Sequence, residues 1–194
     1  MSTGAKLPLD KAERMASKLQ AALAPACDRL AVAGSIRRRV PEVGDIELVA
    51  IPNHQTGIDR LTLRLNALVE EQKIYRAVPP GIRNRPAWGE RYKKFWCWTN
   101  DVYSWVQVDL FITTPDSWGA ILAIRTGPSE FSKALVTHIK YKTPYRQEEG
   151  VLVRQYSGEI VPAPEEEEYF RLAGLPWIEP ERRSAAVLRR VQKR

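Results

Sequence analysis

The stretch from Ala31 to Ile51 constrains the fold more than any other part of this chain. An apolar segment, Ala31-Val32-Ala33, runs into Gly34-Ser35. A basic loop containing Arg37, Arg38 and Arg39 follows, and then Gly44-Asp45-Ile46-Glu47-Leu48-Val49-Ala50-Ile51. Side chains alternate faces along a strand. Asp45 and Glu47 therefore share one face, with Cα atoms roughly 6.5–7 Å apart, while Ile46, Leu48 and Ala50 turn to a core. Two carboxylates on one wall repel each other unless a cation lies between them, and magnesium is the oxygen-seeking cation that bridges carboxylates to phosphates. Gly34 lets the backbone approach closely and offer N–H groups to phosphate oxygens. Ser35 adds a hydroxyl, and the arginines can neutralise phosphate charge. The order suits a site for a nucleoside triphosphate and its metal ions. A half-buried strand with merely solvated carboxylates is the plain alternative.

With 194 residues, the chain is one large domain or two small ones, long enough to bury a core. Its formal charge of +7 suggests an anionic partner, nucleic acid first. Cys27 and Cys97 make no zinc pattern or disulfide framework and read as small core residues. There is no apolar signal core, and no apolar run approaches ~18 residues, so a soluble, cytoplasmic protein is expected.

Residues 10–24 read as an amphipathic helix capped by Asp10, with Ala12, Met15, Ala16, Leu19 and Leu23 as its stripe. Strands at 29–33 and 45–51 flank the Gly-Ser turn. A helix at 58–72 carries Leu61, Leu65 and Leu68. Residues 79–89 form a basic loop, and strands follow near 92–98 and 103–113. In the last of these, Val106, Val108 and Leu110 share one face and Gln107, Asp109 and Phe111 the other. An acid in so apolar a strand needs a partner or a metal. Asp109 can complete a trio with Asp45 and Glu47, with an arginine ion pair as the structural alternative. Helices are expected at 117–124 and 129–140, a hairpin between 151–154 and 159–161, a short acidic-capped helix at 165–173 and a basic helix at 181–193. A soft boundary falls near 115 and a firmer one near 145.

Four ordered stretches resemble the family X DNA polymerases of the nucleotidyltransferase superfamily. Gly34-Ser35 with Gly44-Asp45-Ile46-Glu47 resembles the first palm motif, and Gln107-Val108-Asp109 the strand of the third carboxylate. Arg125-Thr126-Gly127 to Lys133 resembles the Thr-Gly nucleotide-pocket turn, and Pro164 to Arg182 the close of the thumb. The resemblance runs from about residue 7 to 183. It implies an α+β fold: a nucleotidyltransferase palm (1–115) with a mixed sheet flanked by helices, plus a small α/β thumb (116–194). It also implies a minimal form, without the helix-hairpin-helix and lyase regions.

The activity implied is DNA-directed DNA synthesis from dNTPs on a primer 3′-hydroxyl, filling short gaps in DNA repair, by a monomer. Asp45, Glu47 and Asp109 would hold two Mg2+ ions, with Mn2+ as a substitute. Gly34, Ser35, Arg38 and Gly44 would bind the triphosphate, with Lys6 as a further phosphate contact. Thr126, Gly127, Ser129 and Ser132 would line the nucleotide pocket. Departures are Glu47 for the usual aspartate, Ile124-Arg125 for an aromatic pair that helps exclude ribonucleotides, Ser129 and Ser132 for Asp and Asn, and Val136 for an arginine. They point to low fidelity. A template-independent nucleotidyltransferase and a weakly active DNA-binding module are the competing readings.

Arg83, Arg85, Arg91, Lys93 and Lys94, interleaved with Trp88, Tyr92, Phe95, Trp96 and Trp98, suggest a DNA face. Lys133, Lys140, Lys142 and Arg146 can track a duplex. Arg182, Arg183, Arg189, Arg190, Lys193 and Arg194 form a basic tail. His54 and His138 read as structural.

Overall fold

The computed structural model describes residues 6–55, 58–80, 85–100 and 104–192. Expectations for Arg83, Lys193 and Arg194 lie outside the described residues. Two compact units divide between Ile112 and Thr113. The fold is mixed α+β.

In the first unit, β1 (Leu7–Pro8), α1 (Leu9–Leu23), β2 (Cys27–Val32), α2 (Gly34–Arg37), β3 (Glu42–Val43) and β4 (Ile46–Pro52) come first. Then follow β5 (His54–Gln55), β6 (Ile58–Asp59), α3 (Arg60–Glu70), β7 (Ala87–Trp88), β8 (Tyr92–Thr99) and β9 (Ser104–Ile112). A five-stranded sheet has the order β2-β4-β9-β8-β7. Only the β4–β9 pair is parallel; the others are antiparallel. That parallel pair sets Glu47 directly beside Asp109.

Alternation accounts for the layers. Ile46, Leu48, Ala50, Val106, Val108 and Leu110 turn into one core with Ala12, Ala16, Leu19 and Leu23 of α1 and Leu61, Leu65 and Leu68 of α3. Fully burying a leucine is worth ~1.5–3 kcal/mol, so two helical leucine stripes against one sheet face fix this layer. Phe95 and Cys97 of β8 join the same core. Burial pushes the Cys97 thiol up to about 12 and the Cys27 thiol up to about 11, so both stay protonated.

Several boundaries differ from the sequence expectation. Asp10 is not the cap of α1; Pro8 is, without a side-chain bond, and Asp10 pairs with Arg14 at 2.9 Å in the first turn. Proline's fixed φ makes an abrupt entry that leaves Asp10 one residue inside the helix. Helix α3 starts later than expected, because the Asp59 carboxylate caps the Thr62 N–H at 3.0 Å.

The second unit contains α4 (Trp118–Thr126), α5 (Ser129–Lys142), β10 (Tyr145–Glu148), β11 (Val151–Arg154), α6 (Glu166–Leu172) and α7 (Ala185–Val191). Its core gathers Ala120, Ala123, Phe131, Leu135, Ile139, Tyr169, Phe170 and Leu188. The hairpin is β10–β11, not 151–154 with 159–161. Glu149 and Gly150 both have positive φ, 46° and 90°. Two such central residues make the tight turn that matches strand twist, whereas Ile160 makes only one bridge, to Val153. His138 is a structural tie, 3.0 Å from the Ala173 carbonyl. Among the described residues, no helix is long and apolar enough to cross a membrane.

Candidate active site

The Gly34-Ser35 turn is the start of a one-turn helix rather than a loop. Gly34 takes φ +60° between the end of β2 and α2. The Ala33 N–H donates to the Glu47 carbonyl at 2.8 Å, locking the turn to β4. A side chain at Gly34 would collide with the Glu47 carboxylate, which packs against the glycine Cα. Glycine is required here both by its backbone angle and by this contact. Gly34→Ala should cost ~1–2 kcal/mol from the left-handed backbone alone and push Glu47 out of place. Lower stability in denaturant titration, with lost activity, is the expected result.

Ser35 Oγ is buried and, among the described residues, has no hydrogen-bond partner. Such an orphaned hydroxyl costs ~1–3 kcal/mol, and an incoming acceptor oxygen would satisfy it. Arg38 closes α2, its N–H donating to the Gly34 carbonyl at 3.2 Å, and its charge acts on Asp45.

Asp45 lies in the bend after Gly44, one residue before β4, and is half-buried. Burial, followed by the negative charge of Asp109, raises its carboxyl above the ordinary value; Arg38 and Lys94 oppose that shift. A carboxyl raised on folding binds more protons in the native than in the unfolded chain. Stability then falls as pH rises through that window. Metal-free Asp45→Asn should therefore melt higher than the parent at neutral pH, the gain vanishing as pH drops below the ordinary aspartate range. Calorimetry at several pH values reads this directly.

Asp109 accepts from Tyr92 Oη at 2.8 Å and from Gln107 Nε2 at 3.0 and 3.1 Å. Lys94 is its direct partner across the β8–β9 pair. Gly34, Ser35, Arg38, Gly44, Asp45, Glu47 and Asp109 thus all belong to the first unit, around the ends of α2, β4 and β9. Tyr92 and Lys94 are near neighbours whose relation to Asp109 depends on strand register.

Glu47 and Asp109, side by side on the sheet, and Asp45, just before β4 and raised by the Asp109 charge, are oxygen donors of the kind that suits a hard divalent cation. The orphaned Ser35 hydroxyl adds a polar group of the right kind. These residues fit magnesium by chemistry. Among the described residues, however, no three His, Cys, Asp or Glu side chains are drawn together closely enough to enclose an ion. Glu47 packs against Gly34, and Asp109 is held by Tyr92 and Gln107.

Other expected residues are placed differently. Lys6 pairs with Glu42 at 2.9 Å on the surface. Lys93 is corrected from the DNA face to the interior: it is 4% exposed, donates to the Gly89 carbonyl at 2.9 Å and lies near the Trp88 ring. Alternation puts it on the Phe95–Cys97 face, and burial lowers its pKa. Arg85 and Arg91 are exposed, as are Lys133, Lys140 and Lys142 of α5. Phe95 and Trp96 are buried, but Trp98 is 45% exposed. Arg146 braces its hairpin, donating to Glu148 at 2.9 Å and to the Gln155 carbonyl at 2.8 Å.

In the second unit, Thr126 is buried, Ser129 is exposed at the start of α5, and Gly127 lies where a Cβ would meet Phe131 and Ser132. Ser132 Oγ donates to the Ile124 carbonyl at 2.6 Å, so its proton is used within the turn. The expected basic helix at 181–193 begins only at Ala185, capped by Ser184 at 3.2 Å. Arg183 is corrected from the tail to the core, where it donates to Glu166 at 2.9 Å. Glu166, in the first turn of α6, is likewise buried.

Residues 121–184 match the family model of the DNA polymerase beta thumb. The matched segment runs from inside α4 to the cap of α7, and includes both partners of the Arg183–Glu166 pair. It supports a polymerase beta-like, family X relationship. No curated protein matches the chain.

Proposed function

We propose that the chain is a DNA-directed DNA polymerase of family X type, in which the first unit is the nucleotidyltransferase palm and the second the thumb. The observation that carries this reading is the thumb match on one unit, alongside a sheet face on the other that sets Glu47 beside Asp109 and ends at Gly34-Ser35. A thumb of this type implies DNA binding, consistent with the exposed lysines of α5 and the net charge of +7.

In the proposed reaction, the primer 3′-oxygen forms a bond to the α-phosphorus of a dNTP. The bond to the bridging oxygen of the β-phosphate breaks, pyrophosphate leaves, and the hydroxyl proton is lost to water. Magnesium held by Asp45, Glu47 and Asp109 would acidify the hydroxyl and neutralise triphosphate charge. Ser35 would donate its orphaned hydroxyl to a phosphate oxygen. Arg38 would supply positive charge, and Gly34 and Gly44 would allow close backbone approach. Thr126, Gly127 and Ser129 are proposed nucleotide contacts of the second unit. Such a site acts by positioning and charge neutralisation, without a covalent enzyme intermediate.

Short-gap filling in repair and low fidelity belong to the same proposal. A template-independent transferase is the second reading, favoured by Val136 and the altered turn at Ile124-Arg125. Primer extension with and without template, using dNTPs and rNTPs, separates the two. Template-directed dNTP addition supports the first, and equal addition without template supports the second.

A further inference from the structure

Resting on the proposed metal site, we infer that Tyr92 is a positioning residue: its hydroxyl orients the Asp109 carboxylate for the cation. The register explains how it reaches. Tyr92 of β8 stands opposite Phe111 of β9, and Lys94 stands opposite Asp109. Tyr92 and Asp109 are thus diagonal neighbours on one face, ~7–8 Å apart between backbones, within reach of a long aromatic side chain. The Tyr92 ring stacks on Phe111, with centroids 5.2 Å apart and planes at 19°. That stacking aims the phenol along the sheet, and its Oη donates to Asp109 Oδ1 at 2.8 Å.

Gln107, two residues back on the same strand, reaches both carboxylate oxygens from the other side, at 3.0 and 3.1 Å. Oδ1 accepts from both Tyr92 and Gln107, and Oδ2 from Gln107 alone among the described residues. A carboxylate has about four lone-pair sites. The two donors therefore fix the rotamer while Oδ2 keeps the larger acceptor capacity for a cation. Holding a ligand in one orientation from outside lowers the entropy lost on binding, and removing such a support typically costs ~10–100-fold in metal affinity or activity. The Phe111 stack holds the ring, and the hydroxyl hydrogen-bonds it to Asp109.

Tyr92→Phe isolates that connection, since it keeps the ring and the Phe111 stack. Mn2+ alone is titrated into the full chain by electron paramagnetic resonance, without nucleotide or DNA, for the parent, Tyr92→Phe and Asp109→Ala. Melting temperature and duplex affinity are measured alongside. The expected result is Mn2+ affinity weaker by ~10-fold in Tyr92→Phe, at the low end of the range for such supports, with unchanged melting and duplex affinity. Single-turnover nucleotide addition should slow to a similar degree with little change in nucleotide KM. Parent-like Mn2+ affinity in Tyr92→Phe would overturn the inference while leaving the metal site standing. A loss that only accompanies unfolding would overturn it too. No Asp109-dependent Mn2+ binding in the parent would sink the metal site and this inference together.

Discussion

Asp109→Ala is expected to reduce nucleotide addition by at least ~10³-fold, about 4 kcal/mol of barrier at 1.36 kcal/mol per tenfold, while duplex affinity stays near that of the parent. Asp109 stands beside Glu47 in the parallel β4–β9 pair and close enough to Asp45 to raise its pKa. In the proposed mechanism, it is the third carboxylate of the metal set. Its loss would remove an anionic ligand of the cation, and Gln107, Tyr92 and Lys94, which supply donors and not anions, would not replace it. In the proposed reading, duplex binding would rest instead on exposed cations such as Lys133 and Lys140. Asp109→Asn keeps the volume and the contacts to Tyr92 and Gln107 in part, and should be nearly as inactive. Activity within tenfold of the parent in either variant would reject Asp109 as a catalytic residue.

The second large effect concerns stability. Arg183→Ala should destabilise the second unit by ~3–5 kcal/mol, the usual consequence of leaving one member of a buried ion pair behind. The two side chains are 0% and 4% exposed, with Arg183 Nη1 2.9 Å from Glu166 Oε1. Arg183 Nε also donates to the Ile178 carbonyl at 3.0 Å, and its guanidinium lies 5.3 Å from the centre of the Phe170 ring. One residue thus joins the approach to α7, the start of α6 and the aromatic core. The double change Arg183→Met with Glu166→Leu should recover most of the loss, because apolar groups of similar volume need no compensating charge. Denaturant unfolding of the three variants tests this; full stability in Arg183→Ala would show that the pair contributes nothing net.

Much of the first unit was legible because alternation is a local property. The inward set Ile46, Leu48, Ala50 and the outward Glu47 and Asp109 follow from period two alone. The same rule places Lys93 with Phe95 and Cys97, in the interior and not on a DNA face. Glu149-Gly150 is a turn signal of the same local kind, and it sets the β10–β11 hairpin in place of a pairing of 151–154 with 159–161. Other features had no local sign. Tyr92 meets Asp109 only through the β8–β9 register, and Arg183 meets Glu166 only after α6 and the chain beyond it have packed. Neither follows from spacing. The sequence marks Ser35 as a hydroxyl donor, but its burial and its want of a partner among the described residues arise only in the packed turn.

In the proposed function, Asp45, Glu47 and Asp109 together carry out metal-dependent nucleotidyl transfer. Single-turnover extension of an end-labelled primer on a one-nucleotide-gapped duplex, with the complementary dNTP and Mg2+, tests it most directly. The expected product is one nucleotide longer, with equimolar pyrophosphate, and is abolished by chelation of the metal and by Asp109→Ala. A chain that binds the gapped duplex yet yields no extended product with either Mg2+ or Mn2+ would contradict it.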